Sequence, residues 1–181
     1  MSLIEIFLLA LALSMDAFAV SVCAGLSGRG ANIRSALIVG AYFGAAQALM
    51  PVIGFFLASG FASAIDAYGH IIAFVLLALI GGKMIYESIR GGDDCKILPA
   101  SPAKMIPFAI ATSIDAMAVG VSFAFLAVNI AVSALLIGIT TFILSIAGVK
   151  IGALFGSKYK AKAEFAGGVV LVLMGVNILL S

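Results

Sequence analysis

ALALSMDAFAVSVC, residues 10–23, returns 99 positions later as AIATSIDAMAVGVS, residues 109–122. Eight of the fourteen positions are identical: Ala, Ala, Ser, Asp, Ala, Ala, Val and Val. Each copy is an apolar stretch with a single carboxylate, Asp16 or Asp115, inside it. Beyond these copies the likeness thins, but Gly40 and Gly54 are still matched by Gly138 and Gly152 at a shift of 98. The chain therefore reads as two related halves, residues 1–90 and 105–181, joined by the polar segment 91–104.

What surrounds the copies decides their setting. Of 181 residues, 64% are hydrophobic and only 10% charged, and the mean hydropathy is +1.29. A soluble domain carries about 25% charged residues, so this chain has too few to cover a water-facing surface. A membrane-spanning helix takes about 20 apolar residues. The apolar runs predict helices over 3–24, 36–57, 69–88, 105–126, 130–155 and 164–180. These six nearly exhaust the length and leave no soluble domain. The fold class expected is an all-α integral membrane protein forming one transmembrane domain over residues 1–181. Ala17-Phe18-Ala19 fits a signal-peptide cleavage pattern, but no Lys or Arg precedes it and Asp16 falls inside it, so the segment is read as a retained helix.

Three helices per half is an odd number, so the second half must enter the membrane in the opposite sense. The six transmembrane helices are then two inverted repeats, an architecture that places a substrate site near the midplane between the repeats. Basic residues give the orientation. Arg29 and Arg34 lie in the first loop, Arg90, Lys96 and Lys104 in the third, and Lys158, Lys160 and Lys162 in the fifth, while the other loops and both tails hold none. Loop 91–104 is expected in the cytoplasm and both termini outside. The net charge of +2 thus reports topology and gives no patch for nucleic acid. Cys23 and Cys95, the only two cysteines, lack the spacing of a zinc or redox motif and are read as plain packing residues.

A carboxylate within a spanning helix costs at least about 2.5–3.5 kcal/mol on insertion scales and is a functional candidate by default. Asp16 and Asp115 sit at matching positions of the two copies. Ala12, Asp16, Ala19 and Cys23 share one helix face, as do Ala111, Asp115, Ala118 and Ser122. Small residues let helices approach closely in lipid, so both aspartates are expected at a helix contact, with Ser14 and Ser113 adding hydroxyls nearby. In the second helix, Pro51 has no N–H and deprives the carbonyl four residues earlier of its partner. That carbonyl belongs to Gln47, so its backbone oxygen and side-chain amide both become candidate ligands, and Met50 adds a thioether. Two carboxylates with neutral oxygens suit a hard dication, and one soft sulfur tilts the choice towards Mn²⁺ or Fe²⁺. Lys83 with Glu87, and Lys150 with Glu164, lie towards the cytoplasmic ends of their helices, as snorkelling ion pairs or a cytoplasmic gate.

The chain holds no G-x-x-x-x-G-K-[ST] phosphate loop. Movement of a cation would have to be driven by an ion gradient. Two desolvated carboxylates do not both stay charged when empty, and a bound metal needs them deprotonated. One dication outward against two protons inward is the exchange this suggests.

These stretches resemble the bacterial manganese efflux pump family, within the lysine-exporter superfamily. The most specific pieces are Ser14-Met15-Asp16-Ala17-Phe18-Ala19-Val20-Ser21 and Ala111-Thr112-Ser113-Ile114-Asp115-Ala116-Met117-Ala118-Val119-Gly120. They are supported by Phe43-Gly44, Gln47, Met50-Pro51 and Gly54, by Ile80-Gly81-Gly82-Lys83-Met84-Ile85-Tyr86-Glu87, and by Ala163-Glu164 with Gly167-Gly168. The resemblance covers the whole chain. It implies a multi-pass exporter of the bacterial plasma (inner) membrane that relieves manganese toxicity, with Asp16 and Asp115 as its key acidic residues. On that reading the chain is not an enzyme and holds no cofactor; manganese(II) is its cargo, and protons and the lipid bilayer are its partners. The readings set beside it are export of another divalent metal or of a cationic amino acid. More remote is an intramembrane aspartyl protease, whose G-x-G-D type of motif is absent because Ser113 and Ile114 precede Asp115.

Overall fold

In the computed structural model, residues 2–26, 32–65, 69–90, 105–126, 128–155 and 160–180 are described. They are all-helical, with seven helices: α1 (Leu3–Ala24), α2 (Ile33–Ile65), α3 (Gly69–Arg90), α4 (Ile106–Thr112), α5 (Ile114–Phe125), α6 (Ile130–Phe155) and α7 (Lys160–Leu180). Five are long and apolar enough to cross a membrane, or six if α4 and α5 form one bent span. Loop 91–104, with Arg29, Lys96, Lys104, Lys158 and Cys95, lies outside the described residues.

The fourth predicted helix is the one that differs in kind. It is broken at Ser113 (φ −106°, ψ 8°), and its two parts meet at 45°. Hydroxyls compete here with the helical ladder. Thr112 Oγ1 donates to the carbonyls of Phe108 (3.0 Å) and Ala109 (3.1 Å), and Ser113 Oγ donates to Ala109 O at 2.8 Å. The Ser113 N–H turns back to Ile110 O, three residues away. Back-bonding of this kind bends helices. The first copy, with Leu13 in place of Thr112, runs straight through α1. That helix is fixed at its start by a capping box, in which Ser2 Oγ accepts from the Glu5 N–H and Glu5 accepts from the Ser2 N–H.

The helices close a ring. α1 packs on α6, α6 on α2, α2 on α5, α5 on α3, α3 on α7, and α7 back on α1. In this order α1 and α5 stand opposite one another, flanked by the α2·α6 pair on one side and the α3·α7 pair on the other. Residue pairs give the directions. α1 and α6 run parallel, with Ser14 beside Thr141 and Val22 beside Gly152. α2 and α6 are antiparallel, Gly40 lying by Ile146 and Ala48 by Gly138. So are α3 and α7, where Leu77 meets Gly175 and Ser88 Oγ donates to Ala161 O.

Close approach is built with glycine. A methyl on Gly120 would overlap the Pro51 carbonyl, and one on Gly54 the Met117 carbonyl, so α2 and α5 cross backbone to backbone. Such contacts suit helices that have no hydrophobic effect to drive them together in lipid. The interior between the helices is filled by Leu9, Leu13, Leu77, Met84, Phe123, Ile137 and Leu171. Large apolar side chains such as Phe56, Leu79, Leu135, Leu154 and Leu173 point outward, a surface fit for lipid and unfit for water.

Candidate metal centre

α1 carries Asp16 and α5 carries Asp115, and the two carboxyls stand close enough to act on each other electrostatically. Both are half-buried. Their settings differ because of the break. Asp16 lies in mid-helix, whereas Asp115 stands in the first turn of α5. There its carboxylate stands near its own backbone N–H and that of Ala116. A negative charge is favoured at a helix start, where N–H groups are unpartnered and the dipole is positive.

Gln47 enters from α2. It is fully buried and its Nε2 donates to Leu13 O at 2.9 Å, three residues from Asp16. Its Oε1 has no hydrogen-bond partner. With Pro51 inside α2, the Gln47 backbone carbonyl also lacks its ladder donor. One oxygen of Gln47 is thus left open, and the other lacks its usual helical donor. Met50 is half-buried and packs against the main apolar cluster, so the structure gives its sulfur a packing role at the least.

Ser14 and Ser113 are both fully buried, and both turn back on their own helices. Ser14 Oγ donates to Ala10 O at 2.6 Å, as Ser113 Oγ does to Ala109 O. Having one proton, Ser14 can only accept from Thr141 Oγ1, 2.7 Å away on α6. From the opposite side of the ring, α3 sets Lys83 within electrostatic reach of both aspartates and Glu87 within reach of Asp16. Lys83 and Glu87 are 4.0 Å apart and well exposed. Lys150 is exposed on α6 and Glu164 half-buried on α7.

Two polar residues escaped the sequence reading. Thr141 clasps Ser14 from 127 residues away, a contact with no local signal. Ser145, one turn further along α6, is fully buried with an unpartnered hydroxyl; the shift of 98 that maps Gly54 to Gly152 would have pointed to it. One expectation is corrected: Cys23, read as a plain packing residue, is buried and disulfide-bonded, which two widely spaced cysteines do not advertise.

Among the described residues, no three His, Cys, Asp or Glu side chains gather as a metal cluster. A cation held at Asp16 and Asp115 would therefore complete its shell with neutral oxygens or water. Two carboxylates with amide and carbonyl oxygens make a set for a hard or borderline dication, which takes oxygen ligands, and not for copper or zinc, which favour imidazole and thiolate.

Residues 30–179 match the profile of a family described as "Putative manganese efflux pump". The chain is 55% identical over 179 residues to the "Putative manganese efflux pump MntP" of Desulfitobacterium hafniense, covering 98% of this chain and 94% of that one. It is 50% identical to the protein of the same name from Acetivibrio thermocellus, over 99% of this chain and 91% of that one. For the Aliarcobacter butzleri protein of that name the identity is 47%, over 98% and 99%. No solved structure matches. A likeness this high over nearly the full length makes the chain a member of the manganese efflux pump family.

Proposed function

We propose that the chain exports manganese(II) from the cytoplasm as a proton antiporter, holding the ion between Asp16 and Asp115. The observation that carries this reading is the meeting of two intramembrane carboxyls that stand 99 positions apart in the sequence. Gln47, with Oε1 and its backbone carbonyl open, supplies neutral oxygen beside them. Met50 sulfur favours Mn²⁺ over Mg²⁺ and Ca²⁺. Lys83 and Glu87 shape the field on the cytoplasmic approach.

The architecture proposed is six spans in two inverted repeats, with α4 and α5 counted as one span. It is supported by the antiparallel pairing of repeat-related helices, α2 with α6 and α3 with α7. The membrane is the bacterial plasma membrane, with both termini outside.

Electrostatics supports proton coupling. Moving one elementary charge against the membrane potential costs about 2.3 kcal/mol per 100 mV, so a dication costs about 4.6. Two protons inward for one dication outward moves no net charge and removes that opposition. Metal binding expels the protons, because the ligands must be deprotonated, and protonation on the other side releases the metal.

Everted vesicles, acidified inside, test this. They should accumulate Mn²⁺ while losing protons, and collapse of the pH gradient should stop net accumulation. Asp16→Asn and Asp115→Asn, each inserted at normal level, should abolish both fluxes. Accumulation that followed a sodium gradient and ignored pH would refute the antiport, and full export by both variants would remove the aspartates from the site.

A further inference from the structure

Buried side-chain oxygens without a partner are rare in folded proteins, and they are costly where no water can reach. Among the described residues there are two, Gln47 Oε1 and Ser145 Oγ. Their positions are not independent. The shift of 98 that carries Gly40 to Gly138 and Gly54 to Gly152 carries residue 47 to residue 145. The two open oxygens thus occupy the same place in the two halves, one on α2 and one on α6, and both residues are wholly inaccessible.

Their surroundings correspond as well. Gln47 reaches the carbonyl of Leu13, three residues before Asp16. The shift of 99 in the first helix of each half carries residue 13 to Thr112 and Asp16 to Asp115. Ser145 is therefore the counterpart, for the broken helix, of what Gln47 is for α1. α6 brings it there along the face that clasps α1: Thr141, one turn before, bonds Ser14, and Gly148, three residues after, lies 2.8 Å (as a would-be Cβ) from Phe18 O. Ser145 stands between Thr141 and Gly148, on the stretch of α6 that packs against α1.

We propose that Ser145 is a further residue of the cation site, its hydroxyl oxygen joining Gln47 Oε1 to flank the aspartate pair, directly or through one bound water. The ligand is the transported hard or borderline dication. The inference rests on the aspartate pair being the site. It adds that the neutral oxygens come from both halves, so the cation is held by a two-fold set of donors rather than by the first half alone.

The test uses the purified full chain. Mn²⁺ binding is followed by loss of the free-ion electron paramagnetic resonance signal, and transport is followed in proteoliposomes. Ser145→Ala should weaken Mn²⁺ binding roughly tenfold, the usual scale for a lost bond to a charged group, with a matching rise in KM. Ser145→Thr should restore most of the affinity. Ser145→Cys replaces a hard donor with a soft one and should shift preference from Mn²⁺ towards Cd²⁺, a change that packing alone does not produce. Mn²⁺ affinity and Mn²⁺/Cd²⁺ preference unchanged in all three variants would overturn the proposal. Asp115→Asn, measured in parallel, separates the two readings. Binding lost there but intact in the serine variants refutes only Ser145, whereas binding intact in Asp115→Asn refutes the site itself.

Discussion

The crossing of α2 over α5 offers a quantitative test of the packing. In Gly120→Ala the new methyl would overlap the Pro51 carbonyl oxygen and stand 2.6 Å from both the carbonyl carbon and Cα of Pro51. Carbon atoms settle at about 3.5–4.0 Å, so the two helices must part by roughly 1 Å. Overpacking of this size costs about 1–3 kcal/mol, and replacing glycine in a helix returns up to about 1 kcal/mol. A net loss of up to about 2 kcal/mol lowers Tm by up to roughly 8 °C in a chain of this length. The larger effect falls on export. Pro51 is one turn from Gln47 and Gly120 five residues from Asp115, so parting the crossing pulls donors away from the cation. In enzymes a misplacement of about 1 Å costs roughly a hundredfold in rate, and a fall of at least about tenfold in Mn²⁺ export is expected here on the same ground. Gly60→Ala is the control, because a methyl there meets nothing within 4 Å. Thermal unfolding in detergent, with Mn²⁺ tolerance of a deletion strain carrying each variant, reads both quantities. Unchanged Tm and export in Gly120→Ala, or equal damage from Gly60→Ala, would refute the close crossing.

Met50→Leu keeps bulk and deletes sulfur; it should leave protein level and thermal stability near normal while weakening discrimination of Mn²⁺ against Mg²⁺ and Ca²⁺ in competition uptake by everted vesicles. Unchanged selectivity would confine Met50 to the packing seen against the apolar cluster. Reporter tags at Met1 and Ser181 should both respond from outside the cell and a tag at Lys96 from the cytoplasm. A cytoplasmic C-terminus would break the inverted-repeat arrangement.

The helices themselves were legible because lipid imposes a simple rule. α1 and α6 fall on their predicted bounds, each being one uninterrupted apolar run. α2 runs on to Ile65, past the predicted end at 57. Its last turns, Ala58-Ser59-Gly60-Phe61-Ala62-Ser63, are rich in alanine, serine and glycine, which lower hydropathy without stopping a helix. The break at Ser113 was not legible: a hydropathy window averages over it, and serine and threonine are common enough within helices that back-bonding cannot be read from type alone. For the site, Asp16, Asp115 and Gln47 stood out because each violates the apolar rule in a place where violation is expensive. Thr141 and Ser145 violate it more cheaply, hydroxyls being tolerated in spans, and their partners or lack of them are a matter of tertiary geometry. Lys150 and Glu164 stood out by charge alone.

The bend in the second copy of the repeated stretch, beside its straight twin in the first, bears on how the halves have aged since they were duplicates. Ser14 and Ser113 are the same residue in the same motif, each bonded to the carbonyl four positions back. What surrounds them has drifted apart. Ser14 is gripped by Thr141, while the corresponding place beside Ser113 belongs, by the same shift of 98, to Phe43, a phenyl group buried with Met105 and Ala109. Leu13 has become Thr112. One half has an unbroken post and the other a jointed one. A chain assembled from two copies of residues 1–90 would set two posts face to face, and one assembled from two copies of 105–181 would set two joints. The two copies of the stretch are therefore not interchangeable in backbone shape.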